Sequence, residues 1–130
     1  MSSRTPRVSS AALVGFALAL LAVCVVPLSA HHGWGGYANE EFELTGTLAT
    51  PISLAGPHAN TTIKVDNQVW NVVMAPPAGT QRSGLREGMI PVGATVTVHG
   101  HRHRNPKTFE IKTERLTWNG RTFNVYPDRT

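Results

Sequence analysis

The stretch Ala94-Thr95-Val96-Thr97-Val98-His99-Gly100-His101-Arg102 alternates with a period of two. Ala94, Val96, Val98 and Gly100 fall on one face, and Thr95, Thr97, His99 and His101 on the other. Successive side chains of a strand point to opposite sides of a sheet, so this pattern predicts a half-buried β-strand. The same period recurs on both sides of it. Upstream, Glu41–Ala49 sets Phe42, Leu44, Gly46 and Leu48 against Glu43, Thr45 and Thr47. Thr61–Asp66 turns Ile63 and Val65 inward, and Asp66-Asn67 leads tightly into Gln68–Met74, so these two segments read as a hairpin. Downstream, Thr108–Trp118 places Phe109 and Ile111 inward. Asn119-Gly120 is a type I′ turn signal that returns the chain along Arg121–Tyr126.

The interruptions are as informative as the strands. Pro51 to Asn60 contains Gly56-Pro57 and reads as an irregular link. Ala75-Pro76-Pro77-Ala78-Gly79 stops the ladder, and Thr80 is placed to cap a short helix running to about Glu87, with Gly88 after it. Several short strands in about 100 residues must bury their apolar faces against one another. Closing the sheet does this and removes its edges. The expected fold is therefore mainly all-β: a small OB-like barrel of five to six strands with one short helix between strands 3 and 4. Gly46 and Gly100, in mid-strand, suit the places where such a barrel coils sharply. An immunoglobulin-like sandwich is the alternative, but it has no place for that helix.

Residues 1–30 have a different character. Arg4 and Arg7 precede an apolar run, Ala11 to Val26, which ends at Pro27-Leu28-Ser29-Ala30. This is the layout of a secretory signal peptide, with the cut expected after Ala30 or one residue earlier. The run is short of the roughly 20 residues that span a bilayer, and a helix-breaking proline follows it, so a permanent anchor is the lesser reading. The expected organisation is a signal peptide over 1–30 and a single barrel domain over 31–130, with 31–40 as its amino-terminal segment. The expected location is periplasmic or secreted. Cys24, the chain's single cysteine, lies inside the leader. The processed chain then has no disulfide, no thiol nucleophile and no thiolate ligand.

Charge excludes another class. Lys plus Arg number 12 and Asp plus Glu number 8; without Arg4 and Arg7 the balance is ten against eight. That is too mild for a nucleic-acid binder. No glycine-rich phosphate loop or dinucleotide fingerprint occurs, and no nucleophile with a paired base is visible, so neither a catalytic nor an organic-cofactor site is expected. Glu40, Glu41 and Glu43 read as a solvated strand start rather than as an acid–base pair.

Six histidines carry the remaining chemistry: His31, His32, His58, His99, His101 and His103. Neutral imidazole is a common ligand for copper, zinc and nickel. If processing exposes His31, its α-amine joins two adjacent imidazoles, a nitrogen-rich set suited to Cu(II). The bland alternative is a flexible tail with two solvated histidines. His58 lies in the proline-fixed link, where a loop on a rigid scaffold is well placed to carry a ligand. On a strand, His99, His101 and His103 form one outward row, about 7 Å per step, too long for all three to share an ion on a flat strand, though two could meet one if the strand bends at Gly100 or after it. A plain polar face is the alternative there.

These residues resemble one family, the small exported bacterial proteins of domain of unknown function 6152. The resemblance rests on Ala30-His31-His32-Gly33-Trp34, Leu44-Thr45-Gly46-Thr47, Gly56-Pro57-His58, Trp70, the Arg82–Leu85 region, Pro91-Val92-Gly93 and Val96-Thr97-Val98-His99-Gly100. It covers about residues 30–125. Gly56 stands where the family has Asn, Ala94 where it has a turn Asp, and the His101/His103 run is not a family hallmark. The resemblance implies export, a small barrel and weight on His31, His32 and His58, and it supplies no reaction. The leading expectation is a metal-binding module, copper first, through His31, His32 and His58, with His99, His101 and His103 as a second group. The alternative is a metal-free envelope module that binds a partner protein or an anionic polymer through the barrel face or the basic His99–Arg104 stretch.

Overall fold

Six strands and one short helix make up residues 33–129, the part of the chain that the computed structural model describes. In chain order they are β1 (Tyr37–Leu48), β2 (Asn60–Val65), β3 (Gln68–Val73), α1 (Pro77–Arg82), β4 (Thr95–His103), β5 (Glu110–Trp118) and β6 (Arg121–Asn124), followed by a 3-10 turn at Pro127–Arg129. The strands lie in the order β3-β2-β1-β4-β5-β6, and β3 also pairs with β5 in parallel. That last pairing closes β1, β2, β3, β5 and β4 into a mixed five-stranded barrel of OB-like order, with β6 as an extra strand on β5. The helix sits between β3 and β4, as the punctuation of the sequence predicts.

The inward positions are those of the period-two pattern. Leu48, Ile63, Val72, Val96, Val98, Ile111, Leu116 and Phe123 are all buried in one core. Two turns take the left-handed backbone that their residues tolerate: Asp66 at φ 53° between β2 and β3, and Asn119 and Gly120 at 50° and 75° between β5 and β6. Gly46 is required by space, because a Cβ there would lie 2.6 Å from the Lys64 carbonyl oxygen.

Three expectations are corrected in detail. The helix begins at Pro77, inside the segment read as a stop, and ends at Arg82 instead of about Glu87. Proline is tolerated in the first turn, where its missing N–H has no helical partner. Thr80 is therefore no cap; it is buried in the helix and donates to the Ala75 carbonyl. The first strand starts at Tyr37, four residues before its predicted start. Phe109 is 36% exposed and lies just before β5. It packs edge-on against Trp70, with the Arg102 guanidinium over both rings.

The feature that matters for function is a bulge where β4 and β5 pair. His99 is opposite Arg115, but Gly100 is opposite Thr113, so Glu114 is an extra residue on β5. A bulge re-aims side chains and sharpens the local twist. The backbones come so close that a Cβ on Gly100 would lie 1.9 Å from the Lys112 carbonyl oxygen. Only glycine fits there.

Candidate metal centre

The bulge brings Glu114 to the outer face of the barrel beside His99 and His101. β1 supplies the other wall, because Glu41 pairs with His101 and Glu43 with His99 across the β1–β4 ladder. Cross-strand partners share a face, so two carboxylates and two imidazoles meet there.

Each group has a distinct environment. Glu114 is buried, with only 2% of its side chain exposed. Its Oε1 accepts from His101 Nε2 at 2.9 Å and from Arg129 Nε at 3.1 Å. Its Oε2 is buried without a hydrogen-bond partner. His99 contacts Glu43 through Nδ1 at 3.4 Å. Its Nε2 is buried and lacks hydrogen-bond geometry to any group, although Glu41 Oε2 lies 3.2 Å away. Glu41, His99 and Glu114 each offer a ligand atom within 4.8 Å of the other two, the one such cluster among the described residues.

Buried polar atoms are normally paired, and each exception needs a cause. Here two orphan atoms, His99 Nε2 and Glu114 Oε2, belong to two residues of this one cluster, whose third member is the Glu41 carboxylate. A cation between them would satisfy all three. The surroundings have the form expected around metal ligands, whose remaining polar atoms are held by neighbours. Glu43 orients His99 through Nδ1, and His101 with Arg129 orients Glu114 through Oε1.

His101 plays the supporting role. Its Nδ1 donates to the Ala38 carbonyl at 2.9 Å, and its Nε2 meets the Glu114 carboxylate. Both ring nitrogens are engaged by oxygen atoms, Nδ1 by Ala38 and Nε2 by Glu114. His103 is committed elsewhere: its Nδ1 accepts from the Asn105 backbone N–H at 3.1 Å, and its ring stacks edge-on with Tyr37. The three strand histidines therefore do not converge on one point. His58 bonds the Met74 carbonyl through Nδ1 at 2.9 Å and lines a separate hollow with Asn71 and Glu110. His31 and His32 lie outside the described residues.

The two ends of the domain cover the centre. Trp34 packs edge-on against His101 and Tyr126, with ring centroids 5.7 and 5.1 Å apart, and the Arg129 guanidinium lies 3.9 Å from the Trp34 ring centroid. Lys112 points its ammonium at the Trp34 and Tyr126 rings. Burial lowers its pKa below the ordinary lysine range, against the pull of Glu110. Burial raises Tyr126, which Arg129 partly offsets. Burial, with the hydrogen bond to Glu110 and its charge, raises Tyr37 well above the usual tyrosine value.

Reading the sequence missed Glu114 altogether; Glu41, read as solvated, is exposed and joins the centre through its contact with His99. A signal was present. Ile111 and Leu116 are both fully buried, yet they are five positions apart. A regular strand cannot turn both inward, so one extra residue must lie between them.

Among solved structures the chain resembles that of apo TiaS, a tRNAIle2 agmatidine synthetase, at 19% identity and a TM-score of 0.46. The match covers 61% of this chain and 18% of that one, so it spans less than a fifth of the larger protein. No curated protein matches. Residues 18–112, more than half of the sequence, match the family of unknown function DUF6152, and they carry the barrel from β1 into β5 together with His99 and Glu41. The chain belongs to that family.

Proposed function

We propose that this protein is an exported module that binds one divalent transition-metal ion at Glu41, His99 and Glu114. The carrying observation is that two residues of the Glu41–His99–Glu114 cluster each hold a buried, unpartnered atom, His99 Nε2 and Glu114 Oε2. One imidazole nitrogen and two carboxylate oxygens, with no sulfur, suit Cu(II), Zn(II) and their neighbours, and affinity in such sets peaks at copper. Export rests on the leader, whose apolar run, proline and small residues have the form of a cleavable signal.

His31 and His32 belong to the same proposal as additional nitrogen donors. Trp34, two residues after His32 in the sequence, packs on His101. His58 is bonded on another part of the barrel and is left out of this centre.

The test is calorimetric titration of the whole chain with Cu2+ and with Zn2+. One ion per chain is expected. His99→Gln and Glu114→Gln should each weaken binding by about 100-fold or more, beyond the effect of losing a supporting residue, while His31→Ala/His32→Ala should weaken copper binding by about tenfold. Circular dichroism checks that the variants fold; His99, at the rim, is the safer of the two ligands to change. Equal affinity in wild type and His99→Gln would end this reading.

A further inference from the structure

The ligands of this centre are unequal. The Glu114 side chain is 2% exposed and that of His99 14%, whereas the Glu41 side chain is 62% exposed. The first two are fixed by neighbours: Glu114 by His101 and Arg129, His99 by Glu43. Glu41 has no hydrogen bond, and its one ion-pair contact is to His99 itself. The ion would therefore rest on two rigid buried donors and one carboxylate arm free to swing into solvent.

The fold does not depend on that ion. The centre lies on the outer face of β4 and β5, while the inner face holds the apolar core of Val96, Val98, Ile111 and Leu116. Every strand has its partner through the ladders alone. Structural metal sites are closed by four protein ligands and supply folding energy. This one has three protein ligands among the described residues, one of them exposed, so its remaining positions fall to exchangeable donors: water, an incoming group, or the imidazoles of His31 and His32.

From this asymmetry we infer that the centre is a transfer site, which takes up and hands over its ion by ligand exchange at the Glu41 side. The inference rests on the metal-binding reading above. In the exchange step an incoming donor forms one bond to the ion as the Glu41 carboxylate leaves it. His99 Nε2 and Glu114 Oε2 then release in turn. Charge and oxidation state do not change, and the departing ion leaves both side chains as they are in the apo barrel. The receiving group is a chelating site of another molecule that can reach the rim between Glu41 and Glu43.

The experiment loads the full chain with Zn2+, and separately with Cu2+, and mixes it with the chromophoric chelator 4-(2-pyridylazo)resorcinol in a stopped-flow instrument. The transfer rate should rise in proportion to chelator concentration, because the chelator attacks the bound ion. Glu41→Ala should bind the ion about tenfold more weakly and pass it on about tenfold faster at equal chelator. The apo chain should keep one cooperative unfolding transition. A transfer rate that does not change with chelator concentration, or an apo chain that loses its unfolding transition, would overturn the transfer role while leaving binding intact. Failure of the wild-type chain to take up either ion at the loading step would instead sink the binding reading, and the transfer role with it.

Discussion

Val98 and Leu116 face each other on the inner side of the β4–β5 pair, and next to them His99 and Glu114 come together on the outer side. Both contacts are buried, but by different physics. The inner one joins an apolar core, where burial itself supplies the stabilisation and no polar atom needs a partner. The outer one is flanked by residues from the two ends of the domain: Arg129 bonds Glu114, and Trp34 packs on the neighbouring His101 and on Tyr126. There every polar atom must be accounted for, and two are not. An unsatisfied buried polar group costs about 1–3 kcal/mol. The inner face offsets that cost, and the outer face keeps two unpartnered donor atoms in place. One backbone feature, the Glu114 bulge against Gly100, serves both faces.

The strongest way to break the comparison is to attack that shared feature. Gly100→Ala places a methyl group against the Lys112 carbonyl, where the strands cannot separate without losing the ladder. It should destabilise the barrel by about 3 kcal/mol or more, and inner core and outer centre should fail together in urea unfolding and metal titration. A variant that loses metal but keeps its unfolding midpoint would show that the two faces are independent.

A smaller effect separates them by pH. Tyr37 is raised in the folded protein, so between about pH 10 and its folded value the native state holds a proton that the unfolded chain releases. Stability must therefore fall as pH rises through that window. Lys112 is lowered, so its own contribution has the opposite sign, with stability rising as pH approaches the ordinary lysine value. Urea midpoints measured from pH 9 to 11.5 should drop for wild type above about pH 10 and drop less for Tyr37→Phe. An identical alkaline slope in both would remove Tyr37 from the account.

The smallest expected effect sharpens the outer face alone. Glu43 is exposed and touches only the Nδ1 of His99. Glu43→Gln should weaken metal binding by about tenfold and shift stability by no more than about 0.5 kcal/mol. A stability loss without a change in affinity would mean that Glu43 supports the strand rather than the ligand.

The barrel was readable because its signals are local. Alternation from Val96 to Gly100, the Asp66-Asn67 and Asn119-Gly120 turns, and the proline pair after β3 each act over a few residues. The helix position was legible, but its start was not, because Pro77 serves as a first helical residue rather than a stop. At the centre, the readable part was the histidine-rich strand and Gly100 as a place for sharp coiling. The unread part was Glu114. A glutamate in a charged stretch ordinarily marks a solvated face, and its burial follows from which residues lie opposite and above it. His103 lies in the same outward row, and there the adjoining loop engages its Nδ1 through the Asn105 backbone N–H.

By itself the sequence determined the strands, their inward faces, the hairpin turns and a closed sheet with its helix after the third strand, because a period of two and the turn residues are short-range constraints. Only the tertiary structure decided that Glu114 is the extra residue, that His99 and Glu41 meet it, and that Trp34 and Arg129 cover it. Those facts depend on ladder register and on the two ends of the domain meeting over one spot, and no local pattern encodes a contact between residues so far apart in the chain.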